Sequence, residues 1–342
     1  MANSPEFIET TVISTRLRLA RNLSSYPFPS KLSRRDAEEI ILLVKQALNT
    51  LDDDFEEYNM GAIDPRLAVL LQEQHLISPA LVARRAGAAA FVSPDRHVSV
   101  MVNEEDHLRE QYILNGFNLY KAYERVCGLD EGLGARLNFA YDQKLGFLTA
   151  CPSNVGTGMR ASVMMFLPAL EKSNALKEIV PMLKAGGLTV RGMFGEGTAS
   201  EGFVYQVSNE RTLGLSEKEI LDHMVRVTMK ICDFEIRERE KMLKKDKWRL
   251  RDECLRTYGT LTNCGILPFK EMMEGLAKVK FGVALGFFTA TSIDAFNAFI
   301  DDLRPASFAE EHGLQKANER EADSVRAQVL GRVLPELVVR TD

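Results

Sequence analysis

A chain of 342 residues with 45% hydrophobic and 27% charged side chains is long enough to bury a large core and to divide into two domains. Its net charge of −5 argues against a global nucleic-acid footprint but leaves room for a local basic site. The opening residues MANSPEFIETTVIST lack a basic n-region and an apolar h-region, no run of eighteen apolar residues occurs, and the five scattered cysteines form no CxxC pair. We therefore expect no signal peptide, no membrane span and no zinc or disulfide framework, which places the protein in the cytoplasm.

Taken in chain order, residues 11–23, TTVISTRLRLARN, alternate polar and apolar and predict a strand with Arg16 and Arg18 on one face. Helical spacing follows the cap Ser33 and runs to Leu51. Residues 88–102 read as two strands around a Pro-Asp turn. From Glu104 to Val126 the period becomes helical, with Asn103 as the cap. Residues 136–150 predict strand, turn and strand, delivering the chain into Cys151. A helix is expected over Met159–Leu170 and another over about 174–185, then β structure over Leu188–Val207, interrupted at Gly195 and Gly197. Ser216 and Glu219 form a capping box that opens a long helix to about Tyr258. Within it, residues 237–253 hold thirteen charges in seventeen positions, which reads as a solvated face. Beyond Gly259 the signals are almost wholly helical, with a second capping box at Ser307 and Glu310. The expected fold class is α+β, a sheet with helices packed on it over residues 1–255, followed by a small all-helical domain over 256–342.

Four clusters carry candidate chemistry: STRLR at 14–18, NEEDHLR at 103–109, CPSNVGTGMRAS at 151–162 and VRGMFGEGTASEG at 190–202. Each has a plain structural reading. These are an exposed polar strand face, a capped helix with a Glu105–Arg109 surface pair, a buried thiol, and a hairpin with a bulge. Arg160 is the exception, because in the first turn of a helix a cation works against the dipole. That placement makes sense if an anion sits in front of it. Together Arg16, Arg18, Arg109, Arg160 and Arg191 could converge on a polyphosphate, leaving Glu105 and Glu196 to hold a cationic nucleophile.

The blocks STRLRLARN, NEEDHLR, CPSNVGTGMRAS and RGMFGEG resemble those of the phosphagen kinases in order and approximate spacing. The third is similar to that family's loop CP-T/S-N-x-G-T. The resemblance implies ATP:guanidino phosphotransfer on an antiparallel, glutamine-synthetase-like sheet flanked by helices. Two departures stand out. The helical domain that precedes the first block in those enzymes and closes over a small guanidine has no counterpart ahead of Ser14. Phe194 stands where they carry a second arginine. With its helical C-terminal extension the chain is similar to the bacterial protein-arginine kinases of the McsB type.

That resemblance implies nucleotide binding by Ser14, Thr15, Arg16, Leu17 and Arg18, by His75 and Arg109, and by Arg160, Ala161, Ser162, Val163 and Met164. Arg191, Gly192, Met193, Phe194, Gly195 and Glu196 complete the set. It implies that Glu105 and Glu196 grip and deprotonate the guanidinium, with Cys151 as a thiolate beside it. Nearby arginines and a helix start would favour that thiolate. ATP and Mg2+ are the implied cofactors, the metal bridging phosphates rather than sitting in a protein site. The family's phosphoarginine motif R-D-x-x-R-A is matched by Asp323, Arg326 and Ala327, with Ala322 in place of its first arginine. The implied partners are proteins presenting arginine, including the heat-shock repressor CtsR, the activator McsA and the unfoldase ClpC, which would receive marked proteins for degradation. A homodimer with no membrane or direct nucleic-acid contact is implied as well. Two alternatives stay open at this point: a kinase of free arginine, and an inactive adaptor that binds phosphoarginine or Clp partners.

Overall fold

The computed structural model describes residues 5–51, 54–192 and 202–341. A short helix, α1 (Pro5–Glu9), leads into β1 (Val12–Arg21). Helix α2 (Arg34–Leu48) starts where the Ser33 hydroxyl accepts from the Asp36 N–H. After β2 (Glu56–Asn59), helices α3 (Pro65–Glu73) and α4 (Pro79–Arg84) each begin with a proline behind an oxygen-bearing cap, Asp64 and Ser78. Strands β3 (Ala89–Val92) and β4 (Val98–Val102) meet at the expected turn, closed by the Arg96 N–H on the Ser93 carbonyl.

Next come β5 (Leu108–Asn115), α5 (Leu119–Gly134), the small hairpin β6 (Tyr141–Asp142) and β7 (Gly146–Phe147), and β8 (Met159–Phe166). Helices α6 (Pro168–Lys172) and α7 (Leu176–Ala185) precede β9 (Leu188–Gly192) and β10 (Val204–Asn209). The rest comprises α8 (Glu217–Asn263), α9 (Phe269–Ala284), β11 (Phe288–Ala290), α10 (Ile293–Asp302), α11 (Pro305–Glu311), α12 (Glu319–Leu337) and β12 (Val338–Arg340).

Among the described residues, eight strands form one sheet in the order β2-β3-β4-β5-β1-β8-β10-β9, with every neighbouring pair antiparallel. One face is apolar: Leu17, Leu19, Val163, Met165 and Val207 pack with Ile40, Val126, Leu221 and Met224 from the helices beneath. A second core gathers Phe166 with Leu276, Phe281, Phe296 and Leu330 from α9, α10 and α12. Helix α8 serves both, burying Ile231 and Cys232 in the first and Cys254 and Leu261 in the second. It bends at Asp246, whose φ of −158° and ψ of 68° leave the helix. The Asp246 carboxylate accepts from the Arg249 N–H at 3.1 Å, so this residue caps the second half of the helix and accounts for the bend. The charged run around it lies mostly in solvent, except for Arg239, which is buried against Glu235 at 2.9 Å.

Three expectations need correction. The segment from Glu104 is strand from Leu108 to Asn115 and helical only from Leu119. Its cap is lost too: Asn103, at φ 60°, turns its amide onto the carbonyls of Ala37 and Gly87. Met159–Leu170 is strand to Phe166, so Arg160 sits mid-sheet and not in a first helical turn. Both strands lie inside the sheet with most side chains buried, and a run buried on both faces carries no period that separates strand from helix. Finally, α11 begins at Pro305, and its Ala306 and Ser307 N–H groups donate to the carboxylate of Glu73. The expected Ser307–Glu310 capping box is therefore not what opens it.

Candidate active site

The alternation of β1 decides the site. Ser14, Arg16 and Arg18 share one face, while Thr15, Leu17 and Leu19 are buried beneath. Pairing carries that face across the sheet: Arg16 lies opposite Ser162 and Ile113, and Arg18 opposite Arg160 and Gln111. On the outer strands Gln206 pairs with Met164 and Arg191, and Arg109 is two residues from Gln111. Residues two apart in a strand point the same way. Arg16, Arg18, Arg109, Arg160 and Arg191 therefore stand on one face, drawn from β1, β5, β8 and β9. Thr15, Leu17, Ala161 and Val163, from the same segments, turn into the core and offer the site only backbone. Gly192 closes β9. Met193, Phe194, Gly195 and Glu196 lie outside the described residues.

This concentration of cations is costly as it stands. Arg18 and Arg160 face each other across β1 and β8, and like charges directly opposite destabilise a sheet. Burial, then Arg109 and Arg160, pulls the Arg16 guanidinium down to about 10. Burial, then Arg16, Arg109 and Arg160, holds Arg18 well below the usual arginine range. Arg160 is lowered by burial, Arg191 and Arg109. Their hydrogen-bond partners include neutral groups, Gln206 for Arg16 at 3.0 Å and Ser208 for Arg160 at 3.2 Å. The Nε atoms of Arg18 and Arg160 are buried without a partner. A polyanion laid on this face would supply the missing charge and acceptors.

A cleft of about 500 Å3 opens over Arg16, Arg18 and Arg109, bordered also by Gln111, His75 and Ser78, while Arg160 and Arg191 line a separate pocket of about 120 Å3. His75, at φ 60°, is pinned by Gln111, which donates to its carbonyl at 2.7 Å. Burial, Arg16 and Arg304 depress its imidazole to about 4, so it is neutral at physiological pH.

The acidic loop lies at the other end. Glu105 is 46% exposed and approaches Arg109 at 3.5 Å. Asp106 turns inward, and its Oδ1 accepts from the Asn22 amide and the Ala150 N–H, each at 2.6 Å. Burial pushes that carboxyl up, and the two hydrogen bonds offset part of the shift. The bond to Ala150 also joins two loops, since Glu105 and Cys151 each sit one residue from it. Cys151 Sγ lies 3.0 Å from Ser153 Oγ. The glycines that follow are required by close backbone approach: a Cβ on Gly156 (φ 114°) would lie 2.4 Å from the Thr212 carbonyl oxygen, and one on Gly158 (φ 65°) 2.6 Å from that of Ala20.

The arginine face reaches the acidic loop through Arg109, and the Asp106–Ala150 bond joins that loop to the one carrying Cys151. The family model for the ATP:guanido phosphotransferase C-terminal catalytic domain matches residues 39–238. That for the C-terminal domain of protein-arginine kinase McsB matches residues 247–340. The protein-arginine kinase of Caldanaerobacter subterraneus subsp. tengcongensis is 37% identical over 333 residues, covering 96% of this chain and 98% of that protein. That of Clostridium acetobutylicum is 38% identical, covering 91% and 92%. The chain belongs to the protein-arginine kinase family. Its catalytic fold is also similar to the crystal structure of a lombricine kinase, with a TM-score of 0.60 and 28% identity over 66% of each chain. The duplicated taurocyamine kinase from Schistosoma mansoni shares the fold at a TM-score of 0.62 and 23% identity, over 90% of this chain and 47% of that one.

Within this protein-arginine kinase two further residues shape the site and escaped the sequence reading. Glu104, only 4% exposed, pairs with Arg109 at 2.6 Å. The doubled glutamate was visible, but a helical reading aligned Glu105 alone with Arg109. Arg21, the last residue of β1, grips Asp130 through two bonds of 2.8 Å and donates to the Thr157 carbonyl at 2.9 Å. Its guanidinium also lies 3.5 Å above the Phe147 ring, so it braces both ends of the thiol loop. In the C-terminal motif, Arg326 and Asp323 pair with each other at 2.5 Å, and Arg326 also donates to the Leu267 carbonyl at 3.1 Å. Ala327 is buried in the second core and Ala322 is half-buried.

Proposed function

We propose that this enzyme transfers the γ-phosphoryl group of ATP to arginine side chains of proteins. The observation that carries the reading is the face of buried arginines, short of counter-charge, which meets Glu105 through Arg109, with the Asp106–Ala150 bond joining the loops of Glu105 and Cys151. On this reading Arg16, Arg18, Arg109, Arg160 and Arg191 hold the phosphates and neutralise charge as the group moves, which is most of what phosphoryl transfer asks of a protein. The bond from the γ-phosphorus to the bridging oxygen breaks while one forms to the guanidinium nitrogen. The proton leaves for a carboxylate, Glu105 or Glu196, and ADP departs. On the family resemblance Cys151 stands as a thiol beside the nucleophile.

On this reading Mg2+ arrives with the nucleotide, and among the described residues no group of three His, Cys, Asp or Glu could hold a metal ion. When bound it would screen the charge of the nucleotide's phosphates. An arginine presented on a chain suits the open concavity of about 620 Å3 beside Glu104, Glu105, Arg109 and Arg84. On the family resemblance we add that CtsR is a substrate, that McsA activates, that ClpC receives marked proteins, and that the enzyme works as a cytoplasmic homodimer. Residues 1–255 form the catalytic domain, and residues 256–342 form a regulatory domain with a weakened phosphoarginine motif. Among the described residues no helix is long and apolar enough to cross a membrane. The test is transfer from labelled ATP with magnesium to an unfolded protein and to millimolar free arginine, scored as acid-labile phosphate. Strong preference for the protein is expected; equal use of both would favour a free-arginine kinase, and transfer to neither would overturn the reading.

A further inference from the structure

Beneath the arginine face lies a carboxyl group that the proposed reaction does not use. Glu110 follows Arg109 on β5 and turns the opposite way, into the core, where it is fully buried. Across the sheet it stands opposite Leu19 and diagonal to Arg21, and α5 brings Asp130 to the same spot. Both Asp130 oxygens accept from Arg21, from Nε and Nη2 at 2.8 Å each, and Arg21 Nη1 donates to the Thr157 carbonyl at 2.9 Å. The Glu110 carboxyl meets that of Asp130 within hydrogen-bonding reach, and no donor from the protein reaches either of its oxygens. Two carboxylates against one guanidinium would leave a net negative charge in the core, and a buried carboxylate that accepts no hydrogen bond is costly. Burial, reinforced by Asp130, pushes the Glu110 carboxyl well above the usual carboxylate range, against the opposing pull of Arg21. Nearby, Tyr123 of α5 donates to Glu217 of α8 at 2.5 Å, and burial pushes the Cys127 thiol up to about 11, so neither supplies Glu110 with a counter-charge. As an acid Glu110 has one O–H to donate, and the Asp130 carboxylate accepts it.

We propose that Glu110 is a positioning residue: its carboxyl donates a hydrogen bond to Asp130, which holds Arg21 against the thiol loop. The role rests on the reading that this loop serves phosphoryl transfer. Glu110 fixes the Asp130 carboxylate from one side while Arg21 grips it from the other. The Arg21 guanidinium, stacked over Phe147 and bonded to Thr157, then sets the chain on both sides of Cys151. With the proton in place Glu110, Asp130 and Arg21 together carry no net charge. An ionised Glu110 would instead put an unpaired negative charge one residue from Arg109, where we propose phosphate binds.

The experiment compares the unmodified chain with Glu110→Gln, which keeps a donor of the same shape, and Glu110→Leu, which keeps bulk without a donor. At neutral pH the infrared difference spectrum between the unmodified chain and Glu110→Gln should show the carbonyl band of a protonated carboxylic acid. Amide hydrogen exchange over residues 148–158 should accelerate about tenfold in Glu110→Leu, the loss of one hydrogen bond to a charged group. Exchange in α9 and α12 should stay as it was, and Glu110→Gln should match the unmodified chain within about twofold. In transfer assays kcat should fall about tenfold in Glu110→Leu with KM for ATP within about twofold, and Glu110→Gln should restore it. A purely structural role would speed exchange throughout the sheet domain and would not single out kcat. Absence of the acid band, or a Glu110→Gln chain as impaired as Glu110→Leu, would overturn the proposal. So would a Glu110→Leu chain whose loop exchanges as slowly as before. Should Glu110→Leu not fold, the band and the Glu110→Gln chain still decide. Failure of the unmodified chain to transfer phosphate would instead overturn the kinase reading, and the band and the exchange rates would still judge the Glu110–Asp130 bond.

Discussion

Glu104 and Glu105 reach the same guanidinium from neighbouring positions, one buried at 2.6 Å from Arg109 and the other half in solvent at 3.5 Å. The first is placed to fix Arg109, the second to meet a substrate. Glu105→Gln should therefore lower kcat by ~10²–10⁴-fold, the usual worth of a general base, with ATP affinity retained. Glu104→Gln should act on ATP affinity instead, because it frees Arg109, the arginine we propose holds phosphate. Steady-state kinetics with a binding measurement on each variant separates the two roles, and the same split in reverse would exchange them. His75 offers a second handle. Its imidazole is held at about 4 against an ordinary value of 6.5, so the folded state resists its protonation. The associated stability is fully present above about pH 6.5 and is lost as the pH falls through about 4. Phosphates paired with Arg16 would remove part of the repulsion and raise this value. NMR titration of the ring with and without ATP should show the rise; an identical midpoint in both states would place the triphosphate elsewhere.

At the scale of elements, the thiol loop is held by what cannot be added to it. Gly156, at φ 114°, has the Thr212 carbonyl where a side chain would start, so Gly156→Ala combines a disfavoured backbone conformation with a collision. The backbone part alone costs about 1–2 kcal/mol, and urea unfolding should show at least that loss; an unchanged midpoint would mean the loop is free to rearrange. The loop's glycines were legible because the need for positive φ is written in single residues. Strands β5 and β8 were not. Arg109 and Glu110, or Arg160 and Ala161, are neighbours that turn to opposite faces, and both faces are covered. Hydrophobicity then records burial without direction, and helical spacing is matched by accident. β1, with charged residues at Arg16 and Arg18 between buried leucines, kept its period and was read correctly.

Across the whole molecule, the helical C-terminal region is fastened to the arginine-lined cleft and to the sheet domain at several points. Glu73, on the cleft wall, caps α11 through Ala306 and Ser307, and α8 runs through both cores. The Asp323–Arg326 pair is closed on itself and on Leu267, and Ala322 supplies no second cation beside it. A phosphoarginine would have to open that pair with one guanidinium where the family motif has two. Losing one charge-assisted partner costs about 1.5–3 kcal/mol, roughly tenfold to a hundredfold in affinity. We expect a weak phosphoarginine response in this chain and a restored one in Ala322→Arg, with basal transfer changed less than the response. Calorimetric titration paired with kinase assays checks this; tight binding in the C-terminal region of the unmodified chain, with no gain from Ala322→Arg, would refute it.

What the sequence determined alone is chemistry that acts over a few residues: the capping box of Ser216 and Glu219, the turn prolines and glycines, the alternation of β1, and the four motif blocks that carry the family. Which arginines share a face was half legible, since it needed the register of β1 with β5 and β8 and the knowledge that β8 is a strand. The division of labour between Glu104 and Glu105, the bond from Asp106 to Ala150, and the meeting of Glu110 with Asp130 and Arg21 belong to the tertiary structure. Each depends on groups brought together from distant parts of the chain, as when a carboxylate at Glu73 caps a helix 233 residues away. Such a contact leaves no local periodicity at either end, because the free energy that selects it resides in a partner the neighbouring residues never touch.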